Sequence, residues 1–272
     1  MMAGRTLAEI VSEHAEALLG RVVGGDERPE FPLLIKLLFP EEKLSVQVHP
    51  NDAHAQSMGQ RRGKTECWYV LEARPGAAVA LGLKDGTTAE QVRAAVSDAS
   101  LEERLQWLPV AVGDMIFVDA GTVHAIGPGM VLLETQQTSD ITFRLYDYGR
   151  PRELHLEQGI SVMRMQTAAG RVAPQPREGF TRLIEQRYFI VDRYKLNAGA
   201  EVALEAAGAG CIVAIDGVVW MEGEGAERLE LLRGRAVMVP AGSAVKVLAD
   251  AEATFVRCTA PIQGEAREGA GK

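Results

Sequence analysis

Apolar residues at the start of the chain keep helical spacing. Leu7, Ile10, Val11, Leu18 and Leu19 recur at helical intervals, Thr6 and Glu9 form a capping-box signature, and Gly20 suits the position past a helix end. The pattern predicts a helix over 6–20, followed by a polar connector over 21–30. From Leu44 onward the period shortens to short β-like runs at 45–48, 65–72, 77–81, 115–118, 130–136 and 141–146. Turn residues such as Pro50-Asn51-Asp52, Pro75-Gly76 and Pro128-Gly129 bound them. One helical insertion interrupts the strands over 88–108, where Val92, Val96, Leu101 and Leu105 supply an apolar stripe, and a second helix is expected after Pro151, running through His155, Ile160 and Met163. Strands resume at 188–194, 211–215, 218–221, 237–239 and 244–248. Many short strands with regular turns predict an all-β-dominated chain of antiparallel jelly-roll barrels with helical additions.

An internal echo refines this picture. Gly113, the turn Asp119-Ala120-Gly121 and His124 are matched by Gly234, Pro240-Ala241-Gly242 and Val245, an offset of 234 − 113 = 121. We therefore expect two tandem barrels: residues 1–165 as an N-terminal helix plus a catalytic, metal-binding barrel, 166–184 as a linker, and 185–272 as a degenerate structural barrel. An apolar residue cannot hold a metal, so only the half ending in His124 is expected to carry a site.

Composition narrows the partners. The 272 residues are 47% hydrophobic and 24% charged, ordinary globular usage. With 29 basic against 37 acidic residues the net charge is −8, which disfavours phosphate backbones, so no nucleic-acid partner is expected. The apolar stretch 31–40 is broken by Lys36 and too short to span a bilayer, and no secretory pattern opens the chain. Cys67, Cys211 and Cys258 are odd in number and widely spaced, which argues against a disulfide framework or a cysteine zinc site. The expectation is a cytoplasmic protein without a membrane partner.

The candidate chemistry lies on three strands. Alternation over 44–50 puts Ser45, Gln47 and His49 on one face and Val46 and Val48 on the other. The run 65–70 puts Glu66 on a face with Trp68 and Val70, and His124 follows the Ala120-Gly121 turn at a strand start. Two histidines, a glutamate and a glutamine form a candidate metal shell; imidazole and carboxylate suit zinc, and an open position makes it catalytic. Gly59–Thr65 is one residue short of a phosphate loop and leads into β-patterned sequence, so it is set aside. His14 and His54 receive no role, and His155 is read at least as readily as a helix-start residue as a functional one.

These segments together resemble the type I mannose-6-phosphate isomerases in their short bacterial form, which have the cupin fold. The stretches that carry the resemblance are SVQVHPND (45–52), GKTECWYV (63–70), AGTVHAIGPG (120–129), LETQQTSDITFRLYDYGR (133–150) and PRELH (151–155). The resemblance implies one zinc ion per chain, held by Gln47, His49, Glu66 and His124. It also implies an active-site Arg144, a Lys64 two residues before the glutamate ligand, and Glu134 as a candidate base. The implied activity interconverts mannose 6-phosphate and fructose 6-phosphate through a cis-enediol, with a small sugar phosphate as the partner of a monomer or homodimer. A non-catalytic sugar-binding cupin and an iron-dependent cupin dioxygenase stand as alternatives. The sequence departs from the cupin turn motif at Asp119, where proline is usual, and from the family in having less β-structure ahead of the segment that begins at Gly4, which leaves an edge of the first barrel in question.

Overall fold

The structure is a computed structural model that describes residues 4–20, 29–225 and 227–261. By contacts within the fold the chain divides into two units, Leu34–Ala173, and Met1–Leu33 together with Pro174–Lys272. The predicted N-terminal helix forms as two pieces, α1 (Leu7–Glu13) and α2 (Ala15–Leu19), because His14 leaves helical geometry at φ −125° and ψ 35°. Thr6 and Glu9 cap α1 reciprocally. The Leu18 carbonyl accepts the Ala241 N–H at 2.9 Å. This segment therefore belongs with the C-terminal strands, whereas the sequence grouped it with the first barrel.

The Leu34–Ala173 unit is built on ten strands: β1 (Leu33–Leu38), β2 (Val46–Val48), β3 (Glu66–Ala73), β4 (Ala78–Leu83), β5 (Leu105–Pro109), β6 (Met115–Val118), β7 (His124–Ile126), β8 (Met130–Gln137), β9 (Phe143–Tyr146) and β10 (Gly170–Val172). They form two five-stranded sheets, ordered β1-β8-β3-β6-β10 and β5-β4-β7-β2-β9. Trp68, Val70, Ile116, Val118 and Leu132 of the first sheet meet Val79, Leu81 and Ile126 of the second in one buried core. The second sheet is apolar on its other face as well. There Val46, Val48, Ala80, Ala125, Phe143 and Leu145 pack under residues of α4 (Ala89–Ser97) and α5 (Leu156–Val162) and the 3-10 turn Leu101–Arg104. Alternate residues of β2, β4, β7 and β9 thus serve two cores, with the polar exceptions turned between the sheets.

Three local expectations change. The 88–108 insertion is helical only to Ser97: Asp98 accepts the Ser100 N–H and hydroxyl, Ala99 takes a left-handed φ of 64°, and the chain passes through the 3-10 turn into β5. The turn at 50–52 opens a short helix, α3 (Asp52–Ser57), capped by the Asn51 side chain, which accepts the His54 N–H at 2.9 Å. The expected linker is largely strand. Gly170–Val172 pairs with β6, while β11 (Gln175–Arg177) pairs antiparallel with β12 (Phe180–Glu185) in the other unit.

That unit continues through β13 (Ile190–Leu196), β14 (Glu201–Glu205), β15 (Gly210–Asp216), β16 (Val218–Gly223), β17 (Leu229–Leu232), β18 (Ala236–Val239), β19 (Ala244–Leu248) and β20 (Ala253–Thr259). Its sheets are ordered β11-β12-β13-β20-β15-β18 and β14-β19-β16-β17. Adding twelve to each label converts β1-β8-β3-β6 into β13-β20-β15-β18, and β2-β7-β4-β5 into β14-β19-β16-β17. Eight strands of each unit share one order, which agrees with the echo at offset 121. The chain is mostly β with antiparallel sheets, as expected. No helix among the described residues is long and apolar enough to cross a membrane.

Candidate metal centre

His49, Glu66 and His124 converge between the sheets of the Leu34–Ala173 unit, with their ligand atoms all within 4.8 Å of one another. Glu66 opens β3, His124 opens β7, and Gln47 of β2 lies opposite His124 in the strand register. His124 Nε2 is 3.3 Å from Glu66 Oε1, His49 Nε2 is 3.7 Å from Glu66 Oε2, and Gln47 Nε2 is 3.2 Å from His124 Nε2. Backbone carbonyls orient both rings. His49 Nδ1–H donates to Ile141 O at 3.0 Å and His124 Nδ1–H to Thr122 O at 2.9 Å, which leaves each Nε2 as a lone pair aimed inward. Gly63 permits the approach of His49 and Glu66: a Cβ there would fall 2.5 Å from Pro50 O, just after His49.

Burial holds the imidazoles neutral. It pushes His49 well below the ordinary histidine value, helped by the charge on Lys64, and pushes His124 down to about 4 against the opposing Thr122 hydrogen bond. Lys64 Nζ sits 2.9 Å from Oε2 of the buried Glu66 carboxylate. At that spacing the two form a buried ion pair, and Glu66 Oε1 keeps no donor of its own. Two neutral nitrogen lone pairs and a buried carboxylate facing one point are the donor set of a divalent metal, and these residues fit a zinc ion. Turning over the Gln47 amide would present its oxygen to the same point.

Around this point lie further charges. Lys64 Nζ is also 3.1 Å from His49 Nε2; burial alone would lower its ammonium, but Glu66 and Glu134 carry it above its ordinary value. Glu134 is buried on β8 opposite Trp68, whose indole N–H donates to Oε1 at 3.3 Å. Its Oε2 accepts from Lys36 Nζ at 2.8 Å, and the same ammonium donates to Gln136 Oε1 at 2.6 Å. Sequence reading gave Lys36 no role. Its signal was a single lysine inside an apolar run that becomes strand β1. Arg144 lies opposite Gln47 in the β2–β9 register, so both project from the same face. Its Nη1 donates to Glu153 O at 2.8 Å, and its Nε is buried without a hydrogen-bond partner.

The profile of the type I phosphomannose isomerase catalytic domain matches residues 2–87. Mannose-6-phosphate isomerase ManA of Bacillus subtilis (strain 168) is 40% identical over 213 residues, 74% of this chain and 66% of that protein. The chain belongs to the type I phosphomannose isomerases. A mannose-6-phosphate isomerase of Streptococcus mutans is 42% identical over 166 residues, 59% of this chain and 51% of its own length. The chain thus spans between half and two thirds of these two curated relatives. The crystal structure of the mannose 6-phosphate isomerase from Bacillus subtilis superposes with a TM-score of 0.82 at 29% identity, covering 94% of this chain and 82% of that one.

Strand register identifies what this phosphomannose isomerase family member carries in its other unit at the same positions. Glu66 pairs with Val118 as Gly210 pairs with Val239, and Gln47 pairs with His124 as Leu204 pairs with Val245. Gly121 N–H donates to His49 O as Gly242 N–H donates to Ala206 O. The four counterparts are Leu204, Ala206, Gly210 and Val245, none of which can ligate a metal.

Proposed function

We propose that this chain interconverts mannose 6-phosphate and fructose 6-phosphate, using one zinc ion held by Gln47, His49, Glu66 and His124. The observation that carries the reading is the buried Glu66 carboxylate converging with two neutral imidazole nitrogens within 4.8 Å. The substrate comes from the relatives, which are named for this activity.

Isomerisation removes the proton at C2 of the open-chain aldose, places it at C1, and moves a hydroxyl proton from O2 to O1 through a cis-enediol. Zinc, when bound, would polarise the oxygens at C1 and C2 and favour the developing enediolate. The protein supplies the rest. Glu134 is the carboxylate that takes up the carbon-bound proton, and the Lys36 ammonium and Trp68 indole fix its two oxygens in place. Lys64 offers N–H donors to the substrate oxygens that gain negative charge. Arg144 projects from the same face as Gln47, and its planar fork suits a phosphate. In charge terms Lys64 and Lys36 balance Glu66 and Glu134, so a divalent ion and Arg144 leave a net positive pocket in a protein of charge −8. That excess attracts a sugar phosphate.

A coupled assay of mannose 6-phosphate to fructose 6-phosphate conversion tests the reading. Turnover that disappears with chelator and returns with zinc supports it. A zinc-loaded protein with no turnover on this substrate overturns it.

A further inference from the structure

We infer that the Asp119–Arg164 pair is a latch that positions both histidine ligands; this rests on the metal reading proposed above. The turn between β6 and β7 supports the two rings at once. Its Gly121 N–H donates to His49 O at 2.8 Å, and its Thr122 carbonyl accepts His124 Nδ1–H at 2.9 Å. A shift of this turn therefore moves the backbone under one imidazole and rotates the other.

Asp119 and Arg164 hold the turn from both sides. Asp119 Oδ1 accepts the Thr122 hydroxyl at 2.8 Å, and Oδ2 accepts from Arg164 Nη2 and from Ala168 N–H, the latter at 3.2 Å. Arg164 Nη2 also donates to Ala120 O at 2.6 Å, and its backbone N–H to Gly121 O at 2.9 Å. The Arg164 side chain lies close against Gly121, which has φ +89°: a Cβ there would come within 2.7 Å of Arg164 Nε. The pair is partly exposed, with side chains 15% and 49% accessible, so its charge attraction alone is worth little. Its effect comes from several hydrogen bonds on one four-residue turn.

The other unit provides the internal comparison. Its equivalent turn makes the same closing bond, Ser243 N–H to Pro240 O where the first makes Thr122 N–H to Asp119 O. Proline stands where Asp119 stands and restricts the backbone by its ring. One turn is stiffened covalently and carries no ligand; the other is stiffened by an ion pair and carries two.

The test measures zinc affinity by competition with a chromophoric chelator, beside the melting temperature of the metal-free protein. Asp119→Asn and Arg164→Ala should each weaken zinc binding by about 10–100-fold, the range for residues that orient metal ligands, and the double variant should lose no more than the worse single one. Asp119→Pro, which copies the other turn, should stay within a few-fold of the parent while Asp119→Ala does not. A parent that binds zinc as tightly as both single variants overturns the latch and leaves the metal reading standing. A lower melting temperature with unchanged zinc affinity overturns it too, since that marks a purely structural pair. A parent that binds no zinc removes the metal reading and the latch together.

Discussion

Where the Leu34–Ala173 unit carries Gln47, His49, Glu66 and His124, the other unit carries Leu204, Ala206, Gly210 and Val245 on strands of the same order. The second interior is closed with carbon. Tyr194 and Phe255 stack at 4.7 Å between ring centroids, and Val219, Val239 and Val247 are buried beside them. The first interior gives up part of that packing to a buried carboxylate beside Lys64 and two imidazoles held neutral. Isolated polar groups in such a setting cost stability unless something pairs with them. The comparison shows that the strand order accommodates either interior, and that none of the four candidate ligand positions keeps a metal-binding side chain in the second.

The comparison can be broken most sharply at His124. His124→Ala should abolish zinc binding and isomerase turnover, measured by metal analysis and the coupled assay, because no nearby group replaces the lost nitrogen. Arg144→Ala should lower kcat/KM on mannose 6-phosphate by about 10²–10³-fold with zinc content unchanged, and Arg144→Lys should recover little of it. Normal kinetics in Arg144→Ala would remove that residue from the site.

Acid should separate the two units in the metal-free protein. His49 and His124 have depressed values in the folded chain, His124 at about 4, whereas unfolded histidines protonate near 6.5. The unfolded state then binds more protons, so stability is full above about pH 6.5 and falls by a few kcal/mol as the pH drops toward 4. Hydrogen exchange should locate the loss in 34–173, since both buried histidines lie there and the other unit carries only the exposed His14. The smallest effect is expected from Val245→His. It restores one ligand among three that remain absent, so it should bind no zinc and cost about 1 kcal/mol in a denaturant melt. Zinc bound at the new histidine would show that the second interior is closer to a site than its packing suggests.

Much of this was legible in the sequence because a two-residue period fixes which face a side chain occupies. That logic puts Gln47 on one face with His49, and Glu66 on one face with Trp68. The offset of 121 foretold the substitution of Val245 for His124, but Gly210 and Ala206 became visible only through strand register, which pairs residues far apart in the chain. Lys36 was missed because a lone lysine in an apolar run reads as a surface interruption. Its partners Glu134 and Gln136 lie about a hundred positions later. The roles given to Lys64 and Arg144 came from family resemblance, since a charged residue on a strand carries no local mark of what it faces. The helix at 88–108 was overextended because Leu101 and Leu105 keep helical spacing while belonging to a 3-10 turn and a strand.

The attachment of α2 to Ala241 has a consequence in time. A ribosome delivers Leu18 first and its hydrogen-bond partner roughly 220 residues later, which at about 5–20 residues per second is on the order of ten to forty seconds. Over that interval the strands of 34–173 emerge complete, whereas the opening segment waits for the last strands to be made. Synthesis order and assembly order therefore run differently along this chain, and its first helices are among the last pieces to find their place.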